Sequence, residues 1–216
     1  MYDLEQAIQE RRSTRRFLPQ PVPRALVDES LALAQRAPSN SNTQPWRMVF
    51  AAGAARDRLR DALLNEARRQ APNIPPLPEA FQRYRQELGE QVYGAMGITR
   101  EDKEGRAAAV LRNFEFFGAP LVGIVCMHRD LGLADAVGVG MFLQTLLLAL
   151  TARGLGTCVQ VSLASYPEII RGELGIAEDL AILCGLAVGY PDPDFPANRM
   201  RVGREAVEKN VVFLDG

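Results

Sequence analysis

The feature that most constrains this chain is an apolar segment at residues 133–156, LADAVGVGMFLQTLLLALTARGLG. Its length approaches that of a membrane span, but Asp135 and Gln144 interrupt it and the sequence has no second segment of this kind. We therefore interpret it as a helix buried on most sides in the core of a soluble protein, with no membrane partner. Its GVGMFL stretch is one residue short of a dinucleotide-binding fingerprint and lies inside the helical pattern. The rest of the chain is expected to pack around this helix.

Composition restricts the classes of protein that this chain can belong to. Its 216 residues suit one domain over residues 1–216, with a core of its own. The 25 lysines and arginines nearly balance the 26 aspartates and glutamates, which argues against a nucleic-acid partner. No secretory signal pattern opens the sequence, and Cys126, Cys158 and Cys184 are spaced as buried thiols. We expect a protein of the reducing cytoplasm.

A single histidine limits the chemistry that the side chains can provide. His128 follows an apolar run, and we interpret it as a surface residue at the end of a strand. Zinc sites that need two histidines are excluded, and a serine–histidine–aspartate triad would lack the usual GxSxG turn. The chain therefore either binds a molecule without chemistry or relies on a cofactor for its reaction. No metal site is expected.

Hydrophobic periodicity and turn residues divide the chain into helices and strands. A capping box of Asp3 and Gln6 predicts the start of a first helix that runs into the arginines that follow. Further helices are predicted from Pro23 to Pro38 and at residues 55–70, 102–117, 133–156 and 165–175. Strands are predicted at residues 46–52, 120–127, 157–163, 179–190 and 210–214. A proline-rich excursion near residues 72–100 is expected to leave the core and cover a site.

Four arginines surround a serine and a threonine in RRSTRRF, residues 11–17. At a helix end such arginines point in different directions, so they can surround an anion. Each arginine on a phosphate adds a charge-assisted hydrogen bond of about 1.5–3 kcal/mol. The alternative is a solvated basic turn, favoured by the carboxyl end of a helix. This stretch alone does not decide between them.

A second polar stretch, APSNSNTQPW at residues 37–46, lies between a predicted helix and a predicted strand. It gathers two serines, two asparagines, a threonine and a glutamine, which together offer many neutral donors and acceptors. Such groups suit a ribityl chain or the edge of a heterocycle. The alternative is a polar turn in which serine and asparagine act as helix caps.

Together the two stretches resemble the FMN-dependent nitroreductase family, in which R-x-S-x-[KR]-x-F precedes P-S-x-x-N-x-Q-P-W. The matching residues are Arg11, Ser13, Arg15 and Phe17, then Pro38, Ser39, Asn42, Gln44, Pro45 and Trp46. The likeness continues through RNFEFFGAP, GLGTCVQVSLASYP and ILCGLAVGYPDPDFPAN, and is that of a nitrobenzoate-reductase-like branch. It implies an α+β fold of three layers, α/β/α, in which helices flank a mixed, mainly antiparallel central sheet.

The resemblance also implies which residues hold FMN. Its phosphate and ribityl end would be held from both ends of the chain by Arg11, Arg12, Ser13, Arg15, Arg201 and Arg204. The partner subunit of a homodimer would contribute Ser39, Asn40 and Asn42. Gln44 would meet the flavin or its ribityl chain, and Pro38 is also implied to bind the cofactor. The segment beside the isoalloxazine ring would be Gln160, Val161, Ser162, Leu163 and Ala164, with Asn113 at the flavin edge. Which of these backbone N–H groups meets flavin N5 stays open, because QVSLA departs from the family's P-x-E-G pattern.

For function, the resemblance implies a flavoprotein oxidoreductase. FMN would accept hydride from NADH or NADPH and then reduce a nitroaromatic or quinone-type acceptor by a ping-pong mechanism, with no protein nucleophile. Phe81, Tyr84 and Tyr93 of the excursion are predicted to form a wall on which an aromatic acceptor stacks, with plain packing as the alternative.

Two other functions stay open at this point. One is a flavin enzyme of the same fold with another reaction, such as dehalogenation, dehydrogenation or flavin handling. The other is a non-enzymatic regulator that binds anions or nucleic acid through the basic turn. The near-zero net charge argues against the second.

Overall fold

The structure, a computed structural model, describes residues 2–214. The helices are α1 (Leu4–Glu10), α2 (Arg24–Ala34), α3 (Gly53–Arg69), α4 (Glu79–Ala95), α5 (Lys103–Leu111), α6 (Leu133–Ala152) and α7 (Pro167–Leu174). The strands are β1 (Trp46–Ala52), β2 (Leu121–His128), β3 (Gly156–Gln160) and β4 (Leu180–Gly189). The predicted capping box starts α1: the N–H of Gln6 donates to Asp3 Oδ1 at 2.8 Å, and the N–H of Asp3 donates to Gln6 Oε1 at 3.3 Å.

The four strands form one sheet in the order β1-β2-β4-β3. All three pairings between these strands are antiparallel, and the β2–β4 pairing has an irregularity between Val125 and Cys126. A parallel bridge outside the strands joins Ser13 to Thr157 beside β3. The four-stranded sheet is therefore antiparallel, in agreement with the mainly antiparallel sheet predicted, and the parallel Ser13–Thr157 bridge lies outside its strands.

Helices cover both faces of the sheet, because β2 and β4 are apolar on both sides. On one face, Leu59 and Leu63 of α3 and Ile170 of α7 pack with Ile124 of β2. On the other face lie buried residues of α2 and α6, where Phe142 stacks on Trp46 with ring centroids 4.9 Å apart. The predicted α+β fold with three layers is confirmed.

Helix α6 is the long apolar helix that the sequence predicts. Phe142, Leu146 and Leu150 are at most 1% exposed and pack toward the sheet. Leu133 and Val137 are 88% and 61% exposed in the single chain, so one face of the helix is uncovered. By length and composition α6 could cross a membrane, but the core helix of a globular protein passes the same test.

Several predicted elements extend too far, among them the helix predicted at residues 133–156, which ends at Ala152. The helix predicted to reach Phe117 ends at Leu111, and Phe116 and Phe117 have left-handed φ values of 54° and 56° that turn both rings into the core. The strand predicted to reach residue 163 ends at Gln160, because residues 161–165 form a 3₁₀ turn.

The strand predicted at residues 210–214 is absent from that part of the described chain. Val212, Phe213 and Leu214 are 78%, 79% and 92% exposed. A strand requires a neighbour to bond its backbone groups, and these residues lie beside no strand of the same chain. Residues 210–214 therefore do not form a strand in the described chain, although their composition favours one.

Candidate functional site

The RRSTRRF stretch does not continue α1. The helix ends just before Arg11, whose ψ of 122° is extended. The chain then runs beside β3, where Ser13 bridges Thr157 and the N–H of Thr14 donates to the carbonyl of Thr157 at 2.9 Å. Arg11 is the carboxyl-terminal cap of α1, and its N–H donates to the carbonyl of Ala7 at 3.0 Å, so the arginines begin at the helix end as predicted and continue on extended backbone. Extended backbone alternates its side chains, so Thr14 is buried while Arg11, Ser13 and Arg15 share the opposite side.

A buried amide fixes the backbone of this stretch. Asn198 is 7% exposed, and its Oδ1 accepts a hydrogen bond from the N–H of Arg15 at 2.7 Å. Its Nδ2 donates to the carbonyls of Arg16 at 2.7 Å and Asp192 at 2.9 Å. The segment after β4 therefore holds the arginine stretch in place.

Two predicted phosphate ligands have a carboxylate partner. Glu10 Oε2 lies 2.7 Å from Arg12 Nη2, and Glu10 Oε1 lies 2.6 Å from Arg201 Nη2. The Arg201 side chain also donates to the carbonyl of Gln9 at 3.0 Å. The hydrogen bond from Arg201 holds the pKa of Glu10 below its ordinary value. Arg12 and Arg201 thus tie the carboxyl-terminal tail to the end of α1.

The remaining predicted cations, Arg11, Arg15 and Arg204, form no ion pair within residues 2–214. Burial lowers the pKa of Arg11, and the nearby charge of Arg204 lowers it further. Two guanidinium groups therefore lie near each other, one of them partly buried, without a carboxylate to offset their charge. We call Arg11, Ser13, Arg15 and Arg204 the arginine group.

Cys158 of β3 lies beside this group and is 6% exposed. Burial raises the pKa of its thiol to about 11, against the opposing effects of Arg15, a hydrogen bond with Ser13, and Arg11. The thiol is therefore protonated at neutral pH and provides an uncharged surface next to the arginine group.

The polar loop that contains Ser39, Asn40, Asn42 and Gln44 is exposed and strongly bent. Left-handed φ values occur at Ser41 (48°), Asn42 (54°) and Gln44 (47°). The N–H of Gln44 donates to Ser39 Oγ at 3.0 Å, and its Nε2 donates to the carbonyl of Asn42 at 3.2 Å. The exposed side chains of Asn40 and Asn42 form no hydrogen bond with the arginine group in the described chain. The loop is thus preformed, and it forms no hydrogen bond with the arginine group of the same chain in the described residues.

The turn at residues 161–165 is anchored from inside the sheet. Leu163 is fully buried and lies over Gly185 of β4, where a Cβ atom would be 2.2 Å from Leu163 Cδ1. Gln160 is 2% exposed, and its Nε2 donates to the carbonyl of Asn113 at 2.6 Å. The predicted residues Gln160 and Asn113 are therefore in contact, while Val161 is 63% exposed at the surface of the turn. The remaining turn residues, Ser162 and Ala164, are partly exposed.

A cavity of about 600 Å³ lies between α4, α5 and the arginine group. Arg15, Asn113 and Tyr93 line it, so a predicted aromatic residue shares a cavity with two predicted cofactor ligands. Phe81 and Tyr84 do not line it: the Tyr84 hydroxyl donates to Glu205 at 2.9 Å, and Phe81 is 55% exposed.

Arg112 and Phe195, which no sequence motif indicates, also support the arginine stretch. Arg112 Nη2 donates to the carbonyl of Arg15 at 2.9 Å. The ring of Phe195 lies between the guanidinium groups of Arg112, at 4.8 Å, and Arg16, at 4.6 Å. No local motif connects residues 15, 112, 195 and 198, so only the folded chain shows that they act together.

Comparison with known proteins identifies the family to which this chain belongs. The model of the nitroreductase family matches residues 8–190. The chain belongs to the nitroreductase family. The resemblance noted in the sequence is thereby confirmed, and this nitroreductase is accordingly an oxidoreductase. The matched residues include the arginine group up to Arg15, the polar loop and the turn at residues 161–165.

Relatives of this nitroreductase match it over nearly its whole length. A 4-nitrobenzoate reductase of Pseudomonas putida is 37% identical over 219 residues, covering 98% of this chain and 96% of the relative. A nitrobenzene nitroreductase of Ectopseudomonas oleovorans is 37% identical over 224 residues, with the same coverage. The solved structure of the FMN- and NADPH-dependent nitroreductase NfnB from Sphigopyxis sp. strain HMH has a TM-score of 0.95 at 33% identity, covering all of both chains.

FMN, which the family implies, fits the arginine group. Burying one guanidinium and placing another beside it costs free energy that a phosphate would offset. Arg11, Arg15 and Arg204 have no acidic partner among residues 2–214, and Ser13 adds a hydroxyl donor. Arg12 and Arg201 are less available because Glu10 pairs with both.

Proposed function

We propose that this nitroreductase is a flavoprotein that uses NADH or NADPH to reduce nitroaromatic or quinone-type acceptors. When bound, FMN supplies the redox chemistry of a ping-pong cycle: it accepts hydride from the nicotinamide and passes electrons to the acceptor. The single observation that carries the proposal is the set of Arg11, Arg15 and Arg204, three predicted phosphate ligands without a carboxylate partner in the described chain. The FMN and NADPH dependence of the NfnB relative supports the same cofactors.

The chain's own residues bind and orient in this proposal. Arg11, Ser13, Arg15 and Arg204 hold the phosphate and ribityl end, and the turn from Gln160 to Ala164 lies beside the ring system. Arg15 also lines the cavity, where its positive charge would stabilise the anionic reduced flavin. His128 lies outside the lining of this cavity, which supports a reaction without a histidine acid or base.

We propose further that the enzyme works as a homodimer in the cytoplasm. The apolar residues Leu133 and Val137 of α6 are exposed in the single chain, as are Phe213 and Leu214 of the tail. The polar loop with Asn42 and Gln44 forms no hydrogen bond with the arginine group of the same chain among residues 2–214, which supports its contribution to the partner's site. The cysteines are buried free thiols, in agreement with a reducing compartment.

The visible spectrum of the purified protein tests the cofactor assignment. We expect a flavin absorbance band that is near-stoichiometric with the chain, or that is restored by adding FMN. Anaerobic addition of NADH or NADPH should bleach the band, and a nitroaromatic acceptor should restore it. A protein that cannot be loaded with FMN contradicts the proposal. If the flavin band is bleached but only other acceptors restore it, the protein is a flavin enzyme with a different reaction.

Sedimentation of the loaded protein tests the shared site. We expect a dimer, and we expect Asn42→Ala to weaken FMN binding while leaving the dimer intact. Asn210→Ala, at an exposed position outside the loop, provides the control. A monomer with full FMN affinity would remove the loop from the site.

A further inference from the structure

The cavity between α4 and α5 is strongly cationic. Five arginines line it: Arg15, Arg85, Arg100, Arg106 and Arg112. Glu90 is the only acidic residue among its lining side chains in the described chain. Like charges gathered around one space raise its positive potential and cost stability, so their presence calls for a ligand that offsets them.

None of these five arginines forms an ion pair within 4 Å across residues 2–214. Nearby arginines do have carboxylate partners, as Arg83 does with Glu205. Arg106 lies over the ring of Tyr93, 4.4 Å from its centroid, and Arg112 donates to the carbonyl of Arg15 at 2.9 Å. These contacts hold the guanidinium groups of Arg106 and Arg112 in place without pairing either with a carboxylate.

The cavity is distinct from the phosphate end of the arginine group. Arg11, Ser13 and Arg204 do not line it, and Arg15 is the member that the two sites share. The proposed FMN phosphate therefore accounts for Arg11 and Arg204 but not for Arg85, Arg100 and Arg106. A second anionic group would offset the charge of these three.

We infer that this cavity binds an anionic oxygen group, a carboxylate or a phosphate, on the molecule that exchanges electrons with the flavin. The inference rests on the proposed function and narrows it to charged substrates. Guanidinium groups bind both anions through paired, charge-assisted hydrogen bonds. The carrier is either an acceptor with a carboxylate or NADPH, through the phosphate that distinguishes it from NADH. The names of the relatives include a nitrobenzoate and a neutral nitrobenzene, so family membership leaves the charge of the acceptor open.

The FMN-loaded double variant Arg85→Gln/Arg100→Gln tests the inference, because both side chains are exposed and their loss leaves the core intact. Arg68→Gln, an exposed arginine of α3 outside the cavity, is the matched control. The two half-reactions are measured separately by stopped flow. Reoxidation by 4-nitrobenzoate is compared with reoxidation by 4-nitrobenzamide, and reduction by NADPH with reduction by NADH.

We expect the double variant to lose the preference for the charged member of one pair by a factor on the order of ten, as expected when charge-assisted hydrogen bonds are removed. A loss in the first pair identifies a carboxylate on the acceptor, and a loss in the second identifies the phosphate of the donor. Unchanged preferences in both pairs overturn the inference. So does weaker FMN binding with unchanged preferences, because the cavity then holds the cofactor's own phosphate.

Calorimetric titration separates this inference from the proposed function, because it requires no turnover. Benzoate is compared with benzamide, and NADP⁺ with NAD⁺, on the loaded wild-type protein and the double variant. We expect the charged ligand of at least one pair to bind more tightly to the wild type, and the difference to shrink in the variant. A protein that binds the anion selectively but reduces no acceptor contradicts the proposed function alone. A protein that reduces acceptors without any charge preference contradicts the inference alone.

Discussion

Asn198 accepts a hydrogen bond from the backbone N–H of Arg15 at 2.7 Å, across 183 positions of the sequence. The same buried amide donates to the carbonyls of Arg16 and Asp192. One side chain after the last strand therefore sets the backbone of a cationic stretch before the first. The position of Arg15 depends on this amide as much as on its own neighbours.

Replacing Asn198 by alanine should destabilise the protein. The change leaves the N–H of Arg15 and two carbonyls without their partner, and unsatisfied buried groups cost about 1–3 kcal/mol each. We expect the free energy of unfolding in urea to fall by about 3 kcal/mol, with weaker FMN binding. Asn210→Ala, at an exposed position, should change it by less than about 0.5 kcal/mol. Equal stability of the two variants would show that Asn198 does not hold the stretch.

Replacing Arg11 by glutamine should weaken FMN binding with little effect on the fold. The variant loses a charge-assisted hydrogen bond to phosphate, so we expect the dissociation constant to rise about 10- to 100-fold. Fluorescence titration of the apoprotein with FMN measures it. Arg16→Gln is the control from the same stretch, because Arg16 lies over Phe195 and outside the arginine group. An equal loss in both variants would indicate a diffuse charge effect.

Adding a methyl group at Gly185 should displace the turn beside the proposed flavin site. A Cβ there would be 2.2 Å from Leu163 Cδ1, so Leu163 must move. We expect Gly185→Ala to cost about 1–3 kcal/mol in unfolding free energy and to shift the spectrum of bound FMN. Gly172→Ala in α7, where nothing lies within 4 Å, should instead stabilise the protein by about 0.5–1 kcal/mol. An unshifted spectrum in Gly185→Ala would separate the turn from the flavin.

Cys158 should make the protein less stable at alkaline pH. Its pKa is raised from an ordinary value near 9 to about 11, because burial disfavours the thiolate. The stabilisation is complete below pH 9 and is lost as the pH rises through about 11, because ionisation of the thiol lowers the free energy of the unfolded chain. We expect Cys158→Ala to reduce the fall in unfolding free energy between pH 9 and 11 by up to about 2–3 kcal/mol. Identical pH profiles would show that the thiol titrates normally.

The layers of this fold could be predicted because they follow from continuous apolar patterns. Residues 133–156 contain enough buried positions for a core helix, and the strands at residues 46–52 and 179–190 match β1 and β4 closely. The ends of elements were less predictable where tertiary packing decides them. Phe116 and Phe117 leave the helix because both rings are buried, and no local signal announces this.

The arginines could be predicted as a cationic group, but their division into two sets could not. Glu10 forms ion pairs with Arg12 and Arg201, while neither Arg11 nor Arg204 pairs with a carboxylate in the described chain. This division depends on where the tail crosses α1, which spacing in the sequence does not encode. The charged lining of the cavity could not be predicted either, because Arg85, Arg100 and Arg106 come from different elements and only the folded chain brings them together.

The arginine stretch contacts residues that are synthesised late, so it can take its final position only after they have been made. Ser13 pairs beside Thr157, Phe17 beside Pro191, and Arg15 bonds to Asn198. During synthesis the earliest part of the site therefore waits for almost the last part of the chain to leave the ribosome. An interrupted chain that stops before Asn198 lacks the amide that fixes Arg15.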